Sequence, residues 1–594
     1  MKNILKLRAI LSLIESLQTA ARRFPFSFLF SIATVSAGLL LAHQVGNTAV
    51  LAKILITSIL GFLLFISITL LCEQNNWSKK IRSSISLAGF GLLAGYYSYL
   101  PADLNTAEDA IILRSVLWGL CLVFLISFAP YIKKRIESAS DKIWYFNAYL
   151  VISIALTIIW LALTQAGVSI ALSAIGHLFT IAISEHAYQD MAIVLFSFFG
   201  PAFLLSRIPQ NVGHTIESAE YPKELRLLLQ YVFVPLVSLY FLILYAYVIR
   251  IGITQEWPVG TLAYMILGFS VLGMLVYICL YPLRNVIAWI RKAGDIFHMV
   301  LIPQIGMLFW ALWFRISQYG ITENRYYVLV AGFWLLALSS YFLISKKKDL
   351  RIIPVSLFLI ALVSSFGPLG ALAISERSQQ NRLENLLVKN RILADDGIHA
   401  VRDADVSFGD KKEIGAITSY LITTHGKNSL TPIFSKEVLS SLAANREEQK
   451  KQVMEKFGLP YLESWASGQQ NFYYNSEVNT QATQITQFDY AIPNQGMEST
   501  QTIAGVQYQF KINTAKNTFE VTKGGVLIAE KNLNAFLNTL SKTNTGSVPK
   551  DQIIIVFEND AIAFKYHIER IGGELSETGY AINLIKGLLL FTIK

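Results

Sequence analysis

Apolar runs, each long enough to cross a lipid bilayer, fill the first 375 residues of this chain and leave little room for any other fold. A transmembrane helix needs about 20 apolar residues to cross about 30 Å of hydrocarbon. All sixteen Asp and Glu residues before Glu376 lie outside the apolar cores of these runs. The sequence therefore predicts a polytopic α-helical membrane bundle of eleven spans, at residues 25–44, 50–72, 84–100, 111–131, 144–165, 191–206, 228–249, 261–281, 298–314, 327–345 and 353–374.

A twelfth apolar segment, Gly167–Ser184, differs from these runs because its polar residues recur at helical spacing. Ser169, Ser173 and His177 fall on one face of a helix, and apolar residues occupy the opposite face. Amphipathic helices of this kind lie in the membrane interface rather than across the bilayer. We therefore expect one interfacial helix here.

The positive charge of the chain belongs to its apolar region and predicts an orientation. The formal net charge is +10, but residues 1–375 hold 27 Lys and Arg against 16 Asp and Glu, whereas residues 376–594 hold 23 against 24. Lys and Arg accumulate in cytoplasmic loops. Eleven spans with a cytoplasmic N-terminus place 22 of the 27 basic residues in the cytoplasm, whereas twelve spans place only 15 there. We therefore predict an extracytoplasmic C-terminal domain, the lipid bilayer as partner and no nucleic acid.

Four strings in the second half of the apolar region carry a resemblance to a known family. They are LYAYVIRIGITQEWPVG (Leu244–Gly260), YPLR (Tyr281–Arg284), ISQYGITENRYYVLV (Ile316–Val330) and SSFGPLGALAISERSQQNRLENLL (Ser364–Leu387). In their order and spacing they resemble the domain of unknown function 4153 family of bacterial polytopic membrane proteins. The resemblance implies a bacterial inner (plasma) membrane and supplies no catalytic residue.

The polar remainder of the chain predicts an exported α+β domain with an antiparallel sheet. We divide the chain into a transmembrane helical domain at 1–375, a juxtamembrane and helical part at 376–470, and a mainly β part at 471–594. Glu376–Ile392 is expected to continue the last span as a polar helix, and the amphipathic segments Lys411–His425 and Ser435–Phe457 predict two further helices.

Alternation of apolar and polar residues predicts the strands of the last part. A three-stranded meander is expected with a tight turn at Gly524-Gly525, where glycine permits positive φ. A short helix should follow at Asn532–Leu540. The predicted strands are Val506–Ile512, Thr518–Thr522, Val526–Ile528, Ile553–Phe557, Ala561–Glu569 and Tyr580–Lys594.

The sequence offers no pattern that indicates a catalytic, cofactor or metal site. His399, His425 and His567 are far apart and form no ligand-spaced motif. The chain also lacks a GxSxG elbow and a P-loop, and its three cysteines lie in or beside predicted spans. We therefore predict no cofactor, no metal and a function that is not enzymatic.

Two other functions stay open as alternatives. Ion-coupled transporters place ionisable side chains deep in the bundle, whereas the deep polar residues noted here, such as Asn147, Gln230 and Gln304, are neutral. That leaves an uncoupled small-molecule or lipid transporter. A membrane-embedded lipid-linked transferase shares the layout of many spans and an external tail, but the first external loop, around His43–Thr48, has no carboxylate.

The polar residues of one predicted external loop, Arg315–Tyr327, form the candidate interaction surface. Aromatic residues at a membrane interface explain part of this composition. The alternative is a docking surface shared with the segment Gln255–Pro258 and with the exported domain. The candidate residues are Arg315, Tyr319, Glu323, Asn324, Arg325 and Trp257.

From these observations we predict a multi-pass protein of the bacterial envelope that presents an exported domain for partner binding or sensing. The partner would be an envelope protein or a small ligand on the outer face. Neither the identity of the partner nor the oligomeric state follows from the sequence.

Overall fold

The computed structural model divides the chain into two compact units. The first unit comprises Met1–Lys389 and Ser419–Gln449, and the second comprises Asn390–Thr418 and Lys450–Lys594. The structure describes residues 15–594 except 75–76, 102–108, 133–135, 181–182, 210–220, 255–260, 395, 403–404, 444, 462–469, 477–484, 486, 515, 541–545 and 577–578.

Long helices make up the first unit as the structure describes it. The helices before residue 210 are α1 (Pro25–Ala42), α2 (Thr48–Gln74), α3 (Lys79–Tyr99), α4 (Asp109–Phe128), α5 (Ile136–Phe179), α6 (Glu185–Val194) and α7 (Gly200–Arg207). Those that follow are α8 (Lys223–Leu228), α9 (Val234–Thr254), α10 (Thr261–Leu280), α11 (Ala288–Tyr319), α12 (Glu323–Ile344), α13 (Ile352–Ser365) and α14 (Ala371–Lys389).

Each of the eleven predicted spans coincides with helix in the described structure. By length and composition, nine helical segments of the described chain could cross a membrane. The other two predicted spans lie on α3, of 21 residues, and on α13, of 14 residues. These helices support a multi-pass membrane protein, and the exact number of spans stays a prediction.

The prediction of a separate helix at Gly167–Ser184 is wrong. Residues 167–179 continue α5, which runs for 44 residues from Ile136 to Phe179. The polar face at Ser169 and Ser173 gives the backbone no reason to stop, because neither residue breaks an α-helix. The helix ends only before Thr180, whose φ is +53°.

The last predicted span, 353–374, is also interrupted. Helix α13 ends at Ser365, and α14 begins at Ala371 after a turn. Gly367 has φ of +78°, and the proline that follows disfavours helical geometry at this glycine. The segment Glu376–Ile392 therefore belongs mainly to a new helix and does not continue the last span. At Gly200-Pro201, in contrast, the helix is not broken, because a π-helical turn, Leu195–Phe199, leads directly into α7.

Basic residues gather at one end of the helices of the first unit. Arg23 donates hydrogen bonds to Glu73 at 2.7 Å and to the carbonyl of Ile208 at 2.7 Å. Lys348 pairs with Asp295 at 2.5 Å. Apolar residues near these contacts, including Phe24, Leu70, Tyr131 and Tyr281, share one buried cluster. We call this region the basic end.

Two antiparallel-rich sheets form most of the second unit. A short hairpin, β1 (Leu393–Ala394) with β2 (Gly397–Ile398), precedes these sheets. Their strands are β3 (Gln470–Ser476), β4 (Tyr490–Gln495), β5 (Glu498–Ile503), β6 (Val506–Asn513), β7 (Thr518–Lys523), β8 (Val526–Asn532), β9 (Gly546–Val548), β10 (Ile554–Glu558), β11 (Ile562–Ser576) and β12 (Gly579–Ile593). One sheet has the strand order β4-β12-β11-β3-β9 with β10 paired to β11, and the other is a four-stranded meander β5-β6-β7-β8.

The predicted meander and its turn are confirmed, and the last two predicted strands are present as β11 and β12. Gly524 and Gly525 both have positive φ between β7 and β8, and β11 pairs with β12 over most of their length. The sequence missed β5, whose polar residues alternate without an apolar face, and the parallel pairing of β3 with β9. Helix α18 (Asn534–Leu540) lies where a helix was predicted and buries Leu537 and Leu540 in the core of the sheets.

The predicted helix Lys411–His425 is present as α15 (Phe408–Tyr420) followed by a π-helical turn, Leu421–His425. The predicted helix Ser435–Phe457 is divided in two. It consists of α16 (Lys436–Ser441) and α17 (Arg446–Lys456). The side chain of Asn445 accepts a hydrogen bond from the backbone N–H of Glu447 at 2.8 Å, so a new helix starts there.

Candidate functional sites

Tyr319, in the predicted interaction loop, lies among three arginines. The guanidinium carbons of Arg315, Arg325 and Arg382 lie 5.7, 5.5 and 5.6 Å from the centre of its ring. Arg325 also donates hydrogen bonds to the carbonyls of Gly320 at 2.8 Å and Tyr319 at 3.1 Å. Cation–π contacts at a partly exposed ring stabilise by about 0.5–1 kcal/mol each. The loop is therefore ordered by its own side chains.

Helix α14 binds the backbone of the same loop. Gln379 donates to the carbonyls of Tyr319 at 2.9 Å and Ile321 at 3.1 Å, and Ser378 accepts from the N–H of Ile321 at 2.8 Å. Gly320 has φ of +66°, and a Cβ there would lie 2.8 Å from the Gln379 amide nitrogen. Glycine at 320 is thus required for this close approach.

Glu323, the first residue of α12, lies at the centre of a buried polar cluster that we call the Glu323 junction. Its carboxylate accepts hydrogen bonds from Ser375 at 2.6 Å and from Tyr420 at 2.5 Å. His425 Nε2 lies 3.2 Å from the same carboxylate, and the side chain of His425 is 4% exposed. All four residues belong to the first unit. Hydrogen bonds to an ionised carboxylate are among the stronger ones in proteins.

The geometry of the Glu323 junction suits a structural clamp. Burial, reinforced by the Glu323 charge, raises the pKa of Tyr420 well above its usual value. The hydroxyl therefore stays protonated and donates a hydrogen bond to the Glu323 carboxylate. Ser375 donates to the carboxylate and not to His425. A hydrolytic triad needs the histidine between the serine and the acid, and here the carboxylate occupies that central position.

The structure places the predicted surface residues in different environments. Arg315, Tyr319 and Arg325 lie together, Glu323 lies in the Glu323 junction, and Asn324 is exposed. Trp257 lies outside the described residues. Sequence reasoning missed the six partners of the loop, which follow it by about 50 to 100 residues. The family resemblance over 364–387 was the one signal that touched four of them. These partners are Ser375, Ser378, Gln379, Arg382, Tyr420 and His425.

A cavity of about 850 Å³ lies among α9, α10 and α11 near the basic end. Its walls are mostly apolar, and small residues shape them, since a Cβ on Gly273 would lie 2.3 Å from the ring of Phe297. Small-molecule sites typically enclose 300–1,000 Å³. The apolar wall residues are Val234, Val237, Phe241, Leu242, Val276, Leu280, Ile290, Ile296, Phe297 and Val300.

The mouth of this cavity is strongly basic. Arg284, Arg291, Lys346 and Lys348 line it, with Asp295 as the acidic residue among the lining side chains. Arg284 packs over the ring of Tyr281 at 4.2 Å. Its Nη1 atom is buried and has no hydrogen-bond partner among the described residues. Sequence reasoning assigned these cations to membrane flanks and did not bring them together.

Two buried polar side chains in α11 lie near the cavity wall. His298 is enclosed by aromatic rings, including Tyr277 and Phe342, and its Nδ1 atom lies 3.4 Å from Ser339 Oγ. Gln304 donates to the carbonyl of Phe241 at 3.4 Å. Gln304 was among the deep polar residues expected from the sequence, whereas His298 was not. Within the part of the chain that is described, no three His, Cys, Asp or Glu side chains are grouped so that they could hold a metal ion.

Apolar helices followed by a region of antiparallel sheets define the class of this protein as an α-helical multi-pass membrane protein with a C-terminal β region. More particularly, the chain belongs to the family described as domain of unknown function (DUF4153), whose model matches residues 17–404. The resemblance read from the four strings is thereby confirmed. The match ends before β3, and so before the two larger sheets of the second unit.

Among curated proteins, the chain is similar to "Uncharacterized protein PM1469" of Pasteurella multocida (strain Pm70). The two are 24% identical over 311 residues, which cover 51% of this chain and 51% of that protein. The chain thus spans about half the length of the relative it matches. No solved structure matches the chain.

Proposed function

We propose that this protein is a non-enzymatic component of the bacterial envelope that presents its C-terminal unit outside the cytoplasm for partner binding or sensing. The Glu323 junction is the observation that carries the proposal. It ties the first residue of a candidate span to Tyr420 and His425, which lie in the segment Ser419–Gln449.

The path of the chain gives this junction its significance. Segment Ser419–Gln449 belongs to the unit of apolar helices, whereas the residues before and after it belong to the second unit. The chain therefore passes between the units three times. The turn Leu421–His425 also packs on α4 and α14. Since the chain on both sides of this segment belongs to the second unit, a ligand or partner that moves that unit would also displace the segment. The hydrogen bonds to Glu323 would then transmit the displacement to α12.

Orientation is tested by alkaline phosphatase, which is active only outside the cytoplasm, fused after Lys594 and, separately, after Lys348. We expect activity from the first fusion and none from the second, because the Lys346–Lys348 loop is assigned to the cytoplasm by charge. Cytoplasmic behaviour of the Lys594 fusion would overturn the proposed presentation.

The role of the junction is tested by Glu323→Ala in the full chain, with limited trypsin digestion of spheroplasts. Exposed Glu384 on α14 provides a matched control as Glu384→Ala. We expect faster cleavage within residues 419–449 for Glu323→Ala alone. Equal cleavage in both variants would mean that the junction does not hold the segment.

Uncoupled transport of a lipid or small molecule is the second candidate, and the cavity among α9, α10 and α11 favours it. On α9, however, the lining residues run only from Val234 to Tyr245. At 1.5 Å per residue this stretch covers about 16 Å, roughly half the hydrocarbon thickness. A cavity that extends across only half of the bilayer supports the binding of a molecule more directly than its transport.

A further inference from the structure

We propose that the cavity among α9, α10 and α11 binds one anionic phospholipid from the leaflet at the basic end. Its phosphate would lie among Arg284, Arg291 and Lys346, and an acyl chain would follow the apolar walls. The inference concerns a different part of the fold from the Glu323 junction and does not depend on the function proposed above.

The dimensions of the cavity match one leaflet. Lining residues extend from Val234 to Tyr245 on α9 and from Ile290 to Val300 on α11. The two stretches are about 16 and about 15 Å long at 1.5 Å per residue, and a hydrocarbon core about 30 Å thick gives each leaflet about the same depth. Arg284 follows the end of α10 and Arg291 lies near the start of α11, so the charges lie at one end of this slot.

The charges at the mouth are complementary to a phosphodiester. Lys348 is engaged with Asp295 at 2.5 Å, which leaves three other cations. Arg291 and Lys346 are exposed and form no ion pair within the described structure. Arg284 is held over Tyr281, and its buried Nη1 atom has an unused donor. Basic pockets between membrane helices recognise anionic headgroups through such donors.

The apolar part of the cavity argues for a lipid rather than a soluble phosphate ester. Leu242 and Ile296, on its walls, are 66% and 49% exposed, so the slot opens sideways onto the apolar surface of the helices. A soluble phosphate ester would satisfy the cations and leave that surface uncovered. An acyl chain covers it without leaving the hydrocarbon of the leaflet, and packing against the apolar walls is what holds it there.

The test uses the full chain reconstituted in nanodiscs of equal parts phosphatidylglycerol and phosphatidylcholine, extracted into detergent and analysed by native mass spectrometry. We expect phosphatidylglycerol to be retained in preference to phosphatidylcholine. Arg291→Gln with Lys346→Gln should lower the affinity for phosphatidylglycerol about tenfold or more, because each basic residue near an anionic headgroup contributes about fivefold.

Neighbouring cations that do not line the cavity provide the control. Lys292→Gln with Lys347→Gln removes the same charge from adjacent positions and should change retention by less than about threefold. Ser238→Trp, which fills the slot, should abolish retention, whereas Leu239→Trp on the neighbouring exposed position should not.

Three results would overturn the proposal. They are equal retention of the two lipids, an equal fall in both charge variants, and unchanged retention in Ser238→Trp. Binding of glycerol 1-phosphate that requires Arg291 and Lys346, without retention of phosphatidylglycerol, would identify a soluble ligand and would also reject the lipid.

Discussion

Loss of one hydroxyl group, in Tyr420→Phe, should loosen the segment Ser419–Gln449 from the apolar helices. The Tyr420 hydroxyl lies 2.5 Å from the Glu323 carboxylate, and the Glu323 side chain is 13% exposed. A hydrogen bond to a charged group contributes about 1.5–3 kcal/mol. Since about 1.4 kcal/mol is tenfold in an equilibrium constant, the open population of the segment should rise roughly 10- to 150-fold.

Hydrogen exchange followed by mass spectrometry measures this opening in the full chain. Peptides covering residues 419–430 should exchange faster by that factor in Tyr420→Phe, while peptides from the final hairpin Ile562–Ile593 should not change. Tyr473→Phe, at a tyrosine that is 42% exposed, is the matched control and should leave the exchange rate at 419–430 unchanged. An acceleration below about threefold, or one that the control reproduces, would refute the reasoning about the buried carboxylate.

Three further predictions concern other buried groups. His567→Leu should stabilise the sheets by about 1–3 kcal/mol, because both ring nitrogens are buried without hydrogen-bond partners in the described structure. Burial lowers the pKa of His567, so the wild-type sheets should keep full stability above pH about 6.5 and lose stability as the pH falls below it. In thermal melts from pH 7.5 to 5, the melting temperature should depend less on pH in the variant than in the wild type. Gly573→Ala should destabilise the same sheet by about 3 kcal/mol or more, because its Cβ would lie 2.0 Å from the carbonyl oxygen of Ala581. A Cβ at Gly496 would make only an ordinary contact, so Gly496→Ala should have the melting temperature of the wild type. Arg23→Gln should lower the detergent melting temperature more than Arg22→Gln, because Arg23 forms a partly buried pair with Glu73, and a hydrogen bond to a charged group contributes about 1.5–3 kcal/mol. Equal melting temperatures would contradict this.

Sequence reasoning located the helices better than their ends. Every predicted span except the last, which a turn interrupts, coincides with continuous helix, because a long apolar run requires a helix in a membrane. The continuation of α5 to Phe179 and the break after Ser365 were misjudged. In the first case, a polar face was interpreted as the start of a new helix. Polar residues change what a helix contacts, but they do not decide whether it continues. In the second, the apolar run 353–374 was interpreted as one helix, although α13 ends before Gly367-Pro368.

The candidate loop was identified from its composition, but its partners were not. Tyr319, Glu323 and Arg325 form a dense polar run beside an apolar segment, which a sequence shows directly. Ser375 and Tyr420 follow Glu323 by 52 and 97 residues. No periodicity relates residues so far apart. Isolated serine, tyrosine and histidine residues are also too common for their presence to indicate a buried cluster.

The sequence by itself determined that this chain has many apolar helices, that its basic residues flank them, and that a meander with a Gly524-Gly525 turn follows. Transfer into a membrane, helix formation and tight turns depend on residues that are near one another in the chain, so they can be derived from local patterns. Only the tertiary structure decided that Glu323 is buried among distant donors and that Arg284, Arg291 and Lys346 share the mouth of one cavity. Those outcomes depend on which helices pack together, and packing is settled by shape complementarity among segments far apart in the sequence.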